Sequence, residues 1–506
     1  MAKLDILFIE PNSSAANYQD LAHHYAAIET PTWSLLHANS CRAKGYSVAI
    51  LDANALRLNA DETARQINEM SPRLACLVVY GQNPNSGTCN MEGASEVARI
   101  LKDLCDIPLA VVGSHASALP RQVLEETDID IALTNEGVYA IHNLLASSLT
   151  VTDLKNIKGI AYRETDGTIV VNPAEQIVPQ ERMTIDLPGY AWDLLPYKSR
   201  PFDLYRSHYW HTRYLDKGRD SFAAMYTSFG CKFKCHFCMI NILNRTDMRE
   251  DAVSSDFNVM RYWPSDFMIK EFETLYEKYG VTNIRLSDEM FFLNKDHYQP
   301  LIKELEKRNY PLNMWAYSRI DTCRKEWLES FKKVGINWLA LGIEAANQQV
   351  RQEITKGSFK DVNIRDIVKV IKDADISIVG NYIYGFPNES IENLQQTLDL
   401  AIELNTEHPN MYCATALPGS PLYREAVQNG WKLPTQYKEY GFYSYDYLPL
   451  PTKHLTPSQV LKFRDDAWMK YNTGERYLSM IEKKFGLESR QNIEQQTKIT
   501  LKRKHY

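Results

Sequence analysis

RLACLVVYG at 73–81, GASEVARILKDLCD at 93–106 and IPLAVVGSH at 107–115 read as strand, helix and strand in direct succession. The two outer runs are apolar without alternation, the pattern of a strand buried on both faces. The middle segment spaces its apolar residues by three and four, one stripe of a helix. Such a unit predicts a parallel sheet with helices on both sides. Working outward, LDILFIEP (4–11), YSVAILDAN (46–54) and IDIALTNEG (129–137) add three strands, with SLLHANSCRAKG (34–45) and DETARQINEM (61–70) as helices between them. Residues 1–150 are therefore expected to form a doubly wound, Rossmann-like α/β domain whose ligand lies beyond the strand C-termini.

Residues 151–215 break this rhythm. GIAYRETDGTIVVNP (159–173) predicts a hairpin turning at Asp166-Gly167. LPGYAWDLLPYKSRPFDLYRSHYWHTRYLD (187–216) reads as a connecting segment packed across two domains, its rings used for packing more than for ligand contact. Alternation resumes with FAAMYTSF (222–229), TNIRLSDE (282–289), NMWAYSRI (313–320), NWLALGIE (337–344), ISIVGNYIYG (376–385) and NMYCATALP (410–418). Two intervening helices stop on Gly280 and Gly335, each followed by a new apolar run. Six strand–helix units over 216–425 predict a partial (β/α)6, TIM-like barrel. Residues 426–506 are mainly helical in pattern, and RQNIEQQTKITLKRKHY (490–506) is expected as a frayed or surface tail.

The chain has 506 residues, enough to bury several cores without covalent staples. Its formal charge of −6 argues against a generically basic nucleic-acid binder, and 24% charged residues against a disordered one. No apolar run approaches the ~20 residues of a membrane span. The first apolar run contains Glu10 and is too short for a signal peptide, so a cytoplasmic protein is expected. Nine cysteines in such a chain are not a disulfide framework.

Three of those cysteines are close together. GCKFKCHFCMIN (230–241) sets Cys231, Cys235 and Cys238 at CxxxCxxC spacing directly after the first strand of the second domain. Three thiolates on one loop suit three corners of an iron–sulfur cluster and leave one iron open. A zinc site would want a fourth ligand, and His236 inside the loop would strain a shared tetrahedron. Downstream, polar residues gather where strands end: Ser287-Asp288-Glu289, Tyr317-Ser318-Arg319, Gly342-Ile343-Glu344 and the run from Gly380 to Pro387. The ends of parallel strands are where barrel enzymes keep their sites.

The triplet, with the aromatic Phe237 just before its last cysteine, resembles the radical S-adenosylmethionine (SAM) superfamily. The resemblance implies that the three cysteines hold a 4Fe-4S cluster whose open iron chelates SAM, reductively cleaved to a 5′-deoxyadenosyl radical. It further implies that Phe237 and Asp288-Glu289 lie against SAM, with the acidic pair on its ammonium group. Arg319 would take the carboxylate, Glu344 a ribose hydroxyl, and the strand containing Asn381 and Gly385 the adenine.

With the Rossmann-like domain in front, the whole chain is similar to the cobalamin-binding radical SAM enzymes. The loops after the third, fourth and fifth strands match that family. They imply that Gln82 and Asn83, Gly113, Ser114 and His115, and Glu136 and Gly137 lie against cobalamin. The DxHxxG motif of enzymes that ligate cobalt through histidine is absent, which leaves the lower axial ligand open.

Together these features imply a cobalamin-dependent methyltransferase. Such an enzyme would methylate an unactivated carbon of a small molecule, with a low-potential flavodoxin or ferredoxin as electron donor and no nucleic acid involved. Trp315, Tyr317, Tyr382 and Tyr384 sit on strands that either face the substrate or fill the barrel core. Two alternatives share these features: an oxidative cyclase or rearrangement enzyme of the anaerobic magnesium-protoporphyrin ester cyclase type, and a non-catalytic corrinoid-binding sensor or carrier.

Overall fold

The computed structural model describes residues 4–81, 84–199, 204–207, 220–355, 359 and 362–506. Within them lie two large sheets. The first contains β1 (Ile6–Glu10), β2 (Val48–Asp52), β3 (Leu74–Val79), β4 (Leu109–Gly113), β5 (Ile131–Leu133), β6 (Ile160–Arg163) and β7 (Ile169–Val171), in the order β2-β1-β3-β4-β5-β6-β7. β1 to β5 pair in parallel. β3 and β4 are buried along their whole length, as their unbroken apolar runs require. The expected hairpin forms and extends this sheet: β6 pairs antiparallel with β5, and β7 with β6.

The second sheet is a parallel half-barrel of six strands. It contains β8 (Phe222–Met225), β11 (Asn283–Leu286), β12 (Asn313–Arg319), β13 (Ile336–Glu344), β14 (Ser377–Tyr384) and β15 (His408–Cys413), ordered β15-β14-β13-β12-β11-β8. A two-stranded antiparallel ribbon, β9 (Ser228–Phe229) with β10 (Arg261–Tyr262), frames the cysteine loop. The expected helix stops at Gly280 and Gly335 have φ of +66° and +90°. At Gly335 a Cβ would lie 2.0 Å from the Leu312 carbonyl oxygen, so a side chain there would block the turn into β13.

A half-barrel leaves two edges with unpaired backbone groups. At β8, the Thr30 hydroxyl from the first domain accepts from the Ala224 amide (2.8 Å) and donates to its carbonyl (2.9 Å). At β15, the Arg464 Nε donates to the Met411 carbonyl (2.6 Å), and the Tyr477 hydroxyl to that of Glu407 (3.1 Å). Both of these side chains come from the C-terminal helices Pro457–Asn472 and Glu475–Phe485. In the described part of the connecting segment, the rings pack as expected. Tyr190 stacks on Trp192 at 4.8 Å, and the Tyr197 hydroxyl donates to the Phe222 carbonyl.

The tail departs from expectation. Residues 499–501 and Tyr506 line the central cavity, and Arg503 is buried. Arg503 bonds Asp465 and the carbonyls of Phe442 and Ser444, so the basic charges that suggested a solvated tail are partly spent on docking it. Among the described residues, no helix is long and apolar enough to cross a membrane.

Candidate active site

The two sheets meet across a cavity of about 670 Å³. In a strand, every second side chain shares a face, and the half-barrel turns one such face inward. Arg285, Ser287 and Glu289 follow one another along β11 and its exit. Trp315, Tyr317 and Arg319 do so on β12, Ala340, Gly342 and Glu344 on β13, Asn381 and Ile383 on β14, and Asn410 and Tyr412 on β15. Cys231, Phe233, Cys235, Phe237 and Cys238 form an adjoining wall. The first domain contributes Asn17, Tyr18, Tyr25 and Asn85–Ser86, beyond the ends of β1 and β3.

The three thiols of the triplet are pushed up to about 12, first by burial and then by one another and by nearby carboxylates. Unliganded thiolates would be costly there, and a cationic cluster reverses that cost, so the donor set suits an iron–sulfur centre. Among the described residues, no three His, Cys, Asp or Glu side chains gather closely enough to hold a metal ion, the cysteine triplet included. His236 turns to Glu425, at 2.8 Å. Asn85 reaches the loop from the other domain. Its Nδ2 points at the Cys238 Sγ (3.8 Å), and its Oδ1 accepts from the Met239 amide (3.0 Å).

The SAM candidates divide by strand face. Glu289, Arg319, Glu344, Asn381 and Phe237 line the cavity. Burial raises the carboxyl of Glu289 to about 8 and that of Glu344 to about 7. The Glu289 Oε2 has no partner among the described residues. Glu344 sits at φ +64°, an unusual conformation for a residue with a side chain. Arg319 is not a free bidentate fork. Its Nε and Nη2 hold Asp321 at 2.8 and 2.5 Å, and its guanidinium stacks 3.7 Å from the Phe233 ring centre.

Asp288 and Gly385 do not line the cavity. Asp288 is one residue out of phase with Glu289 and turns from the cavity. Its carboxylate accepts from the Thr227 amide (2.9 Å) and hydroxyl (2.7 Å) and from the Ser228 hydroxyl, tying the cysteine-loop entrance to β11. Gly385 lies outside the cavity, where a Cβ would be 2.4 Å from Val460 Cγ1 of the C-terminal helix.

The aromatic candidates divide by the same rule. Trp315 and Tyr317 face the cavity. Tyr382 and Tyr384 are fully buried on the opposite face of β14, where Tyr384 meets Phe463. They fill the space between barrel and helices.

The described cobalamin candidates lie outside the lining of this cavity. Gln82 and Asn83 fall outside the described residues. Gly113 is a packing glycine, since a Cβ there would lie 2.1 Å from the Val79 carbonyl oxygen. The Ser114 hydroxyl donates to the Pro84 carbonyl. Glu136 pairs with Arg261 of β10 through two bonds (3.0 and 2.6 Å) in a buried link between the domains. Gly137 opens the following helix at φ +82°. His115 is buried outside the cavity, its Nδ1 3.2 Å from the Thr88 hydroxyl and its Nε2 without a partner among the described residues. Asn17, Asn85 and Ser86 of the first domain do line the cavity. Asn17 Oδ1 is buried there without a partner among the described residues.

Sequence reasoning missed Arg285 and Glu29. Arg285 is buried in the cavity wall, paired with Glu29 of the first domain and with the Tyr317 hydroxyl, and it lies over the Trp315 and Tyr317 rings. Its phase with Glu289, four residues on, was the available signal.

Residues 225–401 match the model of the radical SAM superfamily. Over 443 residues the chain is 25% identical to an uncharacterized methyltransferase of Pyrococcus horikoshii, covering 87% of each. Over 437 residues it is 26% identical to the anaerobic magnesium-protoporphyrin IX monomethyl ester cyclase of Rubrivivax gelatinosus, covering 83% of this chain and 69% of that one. Among solved structures, the radical S-adenosylmethionine methyltransferase TsrM of Kitasatospora setae, with cobalamin and a 4Fe-4S cluster bound, superposes with a TM-score of 0.65 at 15% identity. That match covers 98% of this chain and 99% of the other, so the fold is shared from end to end.

Proposed function

We propose that this chain, whose residues 225–401 match the radical SAM superfamily, is a cobalamin-dependent methyltransferase acting on an unactivated carbon of a small molecule. One observation carries the reading. A single cavity is bounded at once by the cysteine loop, by the inward face of the half-barrel and by the strand exits of the Rossmann-like domain. When bound, the cluster with SAM would supply a hydrogen-abstracting radical, and the corrin a transferable methyl group.

The chain's own residues would hold and shelter these groups. Cys231, Cys235 and Cys238 would ligate the cluster, with Asn85 steadying the last of them. Glu289, Arg319, Glu344, Asn381 and Phe237 would hold SAM. Asp288 would position this wall from behind through Thr227 and Ser228. Asn17, Asn85 and Ser86 would meet the corrin. The docked tail and C-terminal helices would exclude water, which a radical intermediate requires.

The domain limits of this reading are 1–150, 151–215, 216–425 and 426–506, with the hairpin of the second segment extending the first sheet. Its electron donor is a low-potential flavodoxin or ferredoxin. Its compartment is the cytoplasm, in keeping with nine unpaired cysteines.

The similarity to the Rubrivivax cyclase keeps oxidative cyclisation as the second reading. The test is to incubate the reduced, reconstituted protein with a metabolite extract and SAM carrying a deuterated methyl group. Mass spectrometry should find a product that gains one labelled methyl and is lost in Cys235→Ala. A Cys235-dependent product that loses hydrogens and carries no label would replace methylation with cyclisation.

A further inference from the structure

The cavity has two charged ends. Near the cysteine loop it presents Glu289 and Glu344, with Arg319 already held by Asp321. Beyond them Arg285 is balanced by Glu29. The other end is built on β15 and the helix Pro457–Asn472, which turns Arg464, Trp468 and Asn472 to the cavity at four-residue spacing.

Arg464 is 3% exposed. Its Nε donates to the Met411 carbonyl and its Nη1 to Asp465 (2.7 Å), while its Nη2 has no partner among the described residues. Asp465 does not neutralise it alone. The same carboxylate takes Arg503 through two bonds (2.9 and 3.1 Å) and accepts from the Tyr506 hydroxyl (2.6 Å). Arg503 is buried as well. Two buried guanidiniums therefore share one carboxylate. The other ionisable neighbours do not supply the missing charge. Burial holds Cys413 as a neutral thiol and Tyr412 and Tyr447 as neutral phenols. Asp466, next along the helix, pairs with Lys462. Burial opposes the Arg464 cation, but the groups around it favour it on balance, and what remains for a ligand to satisfy is its buried, unpartnered Nη2.

We propose that Arg464 is the anchor for an oxyanion, a carboxylate or a phosphate, on the substrate. The body of that substrate would be apolar or aromatic. Tyr443 lies 5.1 Å from the Arg464 guanidinium, and Phe442, Tyr412 and Trp315 continue the wall toward the cysteine loop. The opposed ends give an order to the cavity. The end with Glu289 and Glu344 accepts the cationic SAM, and Arg464, which lines the far end together with Asp465 and Asp466, fixes the substrate by its anion, leaving a carbon of its apolar body between them. This assignment rests on the proposed methyltransferase reading.

The test uses the reconstituted protein and three naphthalene probes of similar size: 2-naphthoate, 2-naphthyl phosphate and the neutral 2-naphthylmethanol, in equilibrium dialysis. One of the two anions should bind about 10-fold tighter than the alcohol, the worth of one charged hydrogen bond. Which anion does so names the source. Arg464→Gln should bring anion and alcohol to parity, and Arg464→Lys should retain part of the preference. Iron content reports whether each variant is folded. If Arg464→Gln does not fold, the wild-type preference and its partial retention in Arg464→Lys decide. Equal binding of all three probes to the wild type, or an anion preference that survives Arg464→Gln, overturns the assignment. Preference for an anion in a protein that fails to cleave SAM would sink the methyltransferase reading and leave this site standing.

Discussion

Five strands of the half-barrel contribute residues to the cavity, at alternate positions along β14 and through consecutive ones on β15, whereas β4 and β5 of the Rossmann-like sheet end in contacts with the barrel. Beyond β4, the Ser117 carbonyl accepts from Arg245 of the barrel side (2.8 Å). Beyond β5, Glu136 takes Arg261. The residues after β1 and β3 remain to face the cavity. A barrel strand thus builds its site by phase, and the first sheet divides its exits between a lock and a site. The variants below separate these uses, from the largest expected effect to the smallest.

Cys235→Ala should abolish cluster binding and all SAM cleavage, read as iron per chain and 5′-deoxyadenosine formed. Retained activity would remove the cysteine wall from the account. Glu136→Ala leaves Arg261 buried without its carboxylate and should cost roughly 3–5 kcal/mol of stability. Urea unfolding measures this, and a change below 1 kcal/mol, about the worth of an exposed pair, would mean the lock is not one.

Asn85→Ala should weaken cluster retention or activity about 10- to 100-fold, as loss of a group supporting a metal ligand does. An unchanged cluster would confine Asn85 to the corrin side. The phase rule itself is tested on β14. Asn381→Ala should weaken SAM binding with little loss of stability, and Tyr382→Ala should cost about 3–5 kcal/mol of stability. The reverse pattern would invert the inward face.

The smallest effect is a pH dependence. Burial, with repulsion from Asp52, raises the Glu10 carboxyl from 4.5 to about 8, against a bond from Ser34. The fold therefore favours the protonated acid. That contribution is complete below the unfolded value near 4.5 and is lost as pH rises through 8. Glu10→Gln should flatten the fall in unfolding midpoint between pH 6 and 8. A slope identical to wild type would show Glu10 ionised throughout.

The first sheet was legible because its central strands β3 and β4 are unbroken apolar runs, and the second because helices stop on Gly280 and Gly335 ahead of new strands. The cysteine wall was legible because its spacing is local. The rest of the site depended on phase and partnership. Asn381 and Tyr382 cannot share a face, nor can Asp288 and Glu289, and the strand period alone separates them. Partnership was out of reach. Nothing near Glu136 in the chain announces Arg261, and nothing near Asp465 announces Arg503, because both pairs form only once distant segments pack. The tail was misread for the same reason: its basic residues look solvated until their acceptors on residues 442–446 and 465 are in place.

The most direct test of the account is to reconstitute the protein anaerobically with iron, sulfide and hydroxocobalamin, desalt it, and count iron and cobalt per chain. The account predicts about four irons and one cobalt, with iron lost in Cys235→Ala and cobalt retained there. Iron without cobalt would contradict it, leaving a radical enzyme whose first domain binds something other than a corrin.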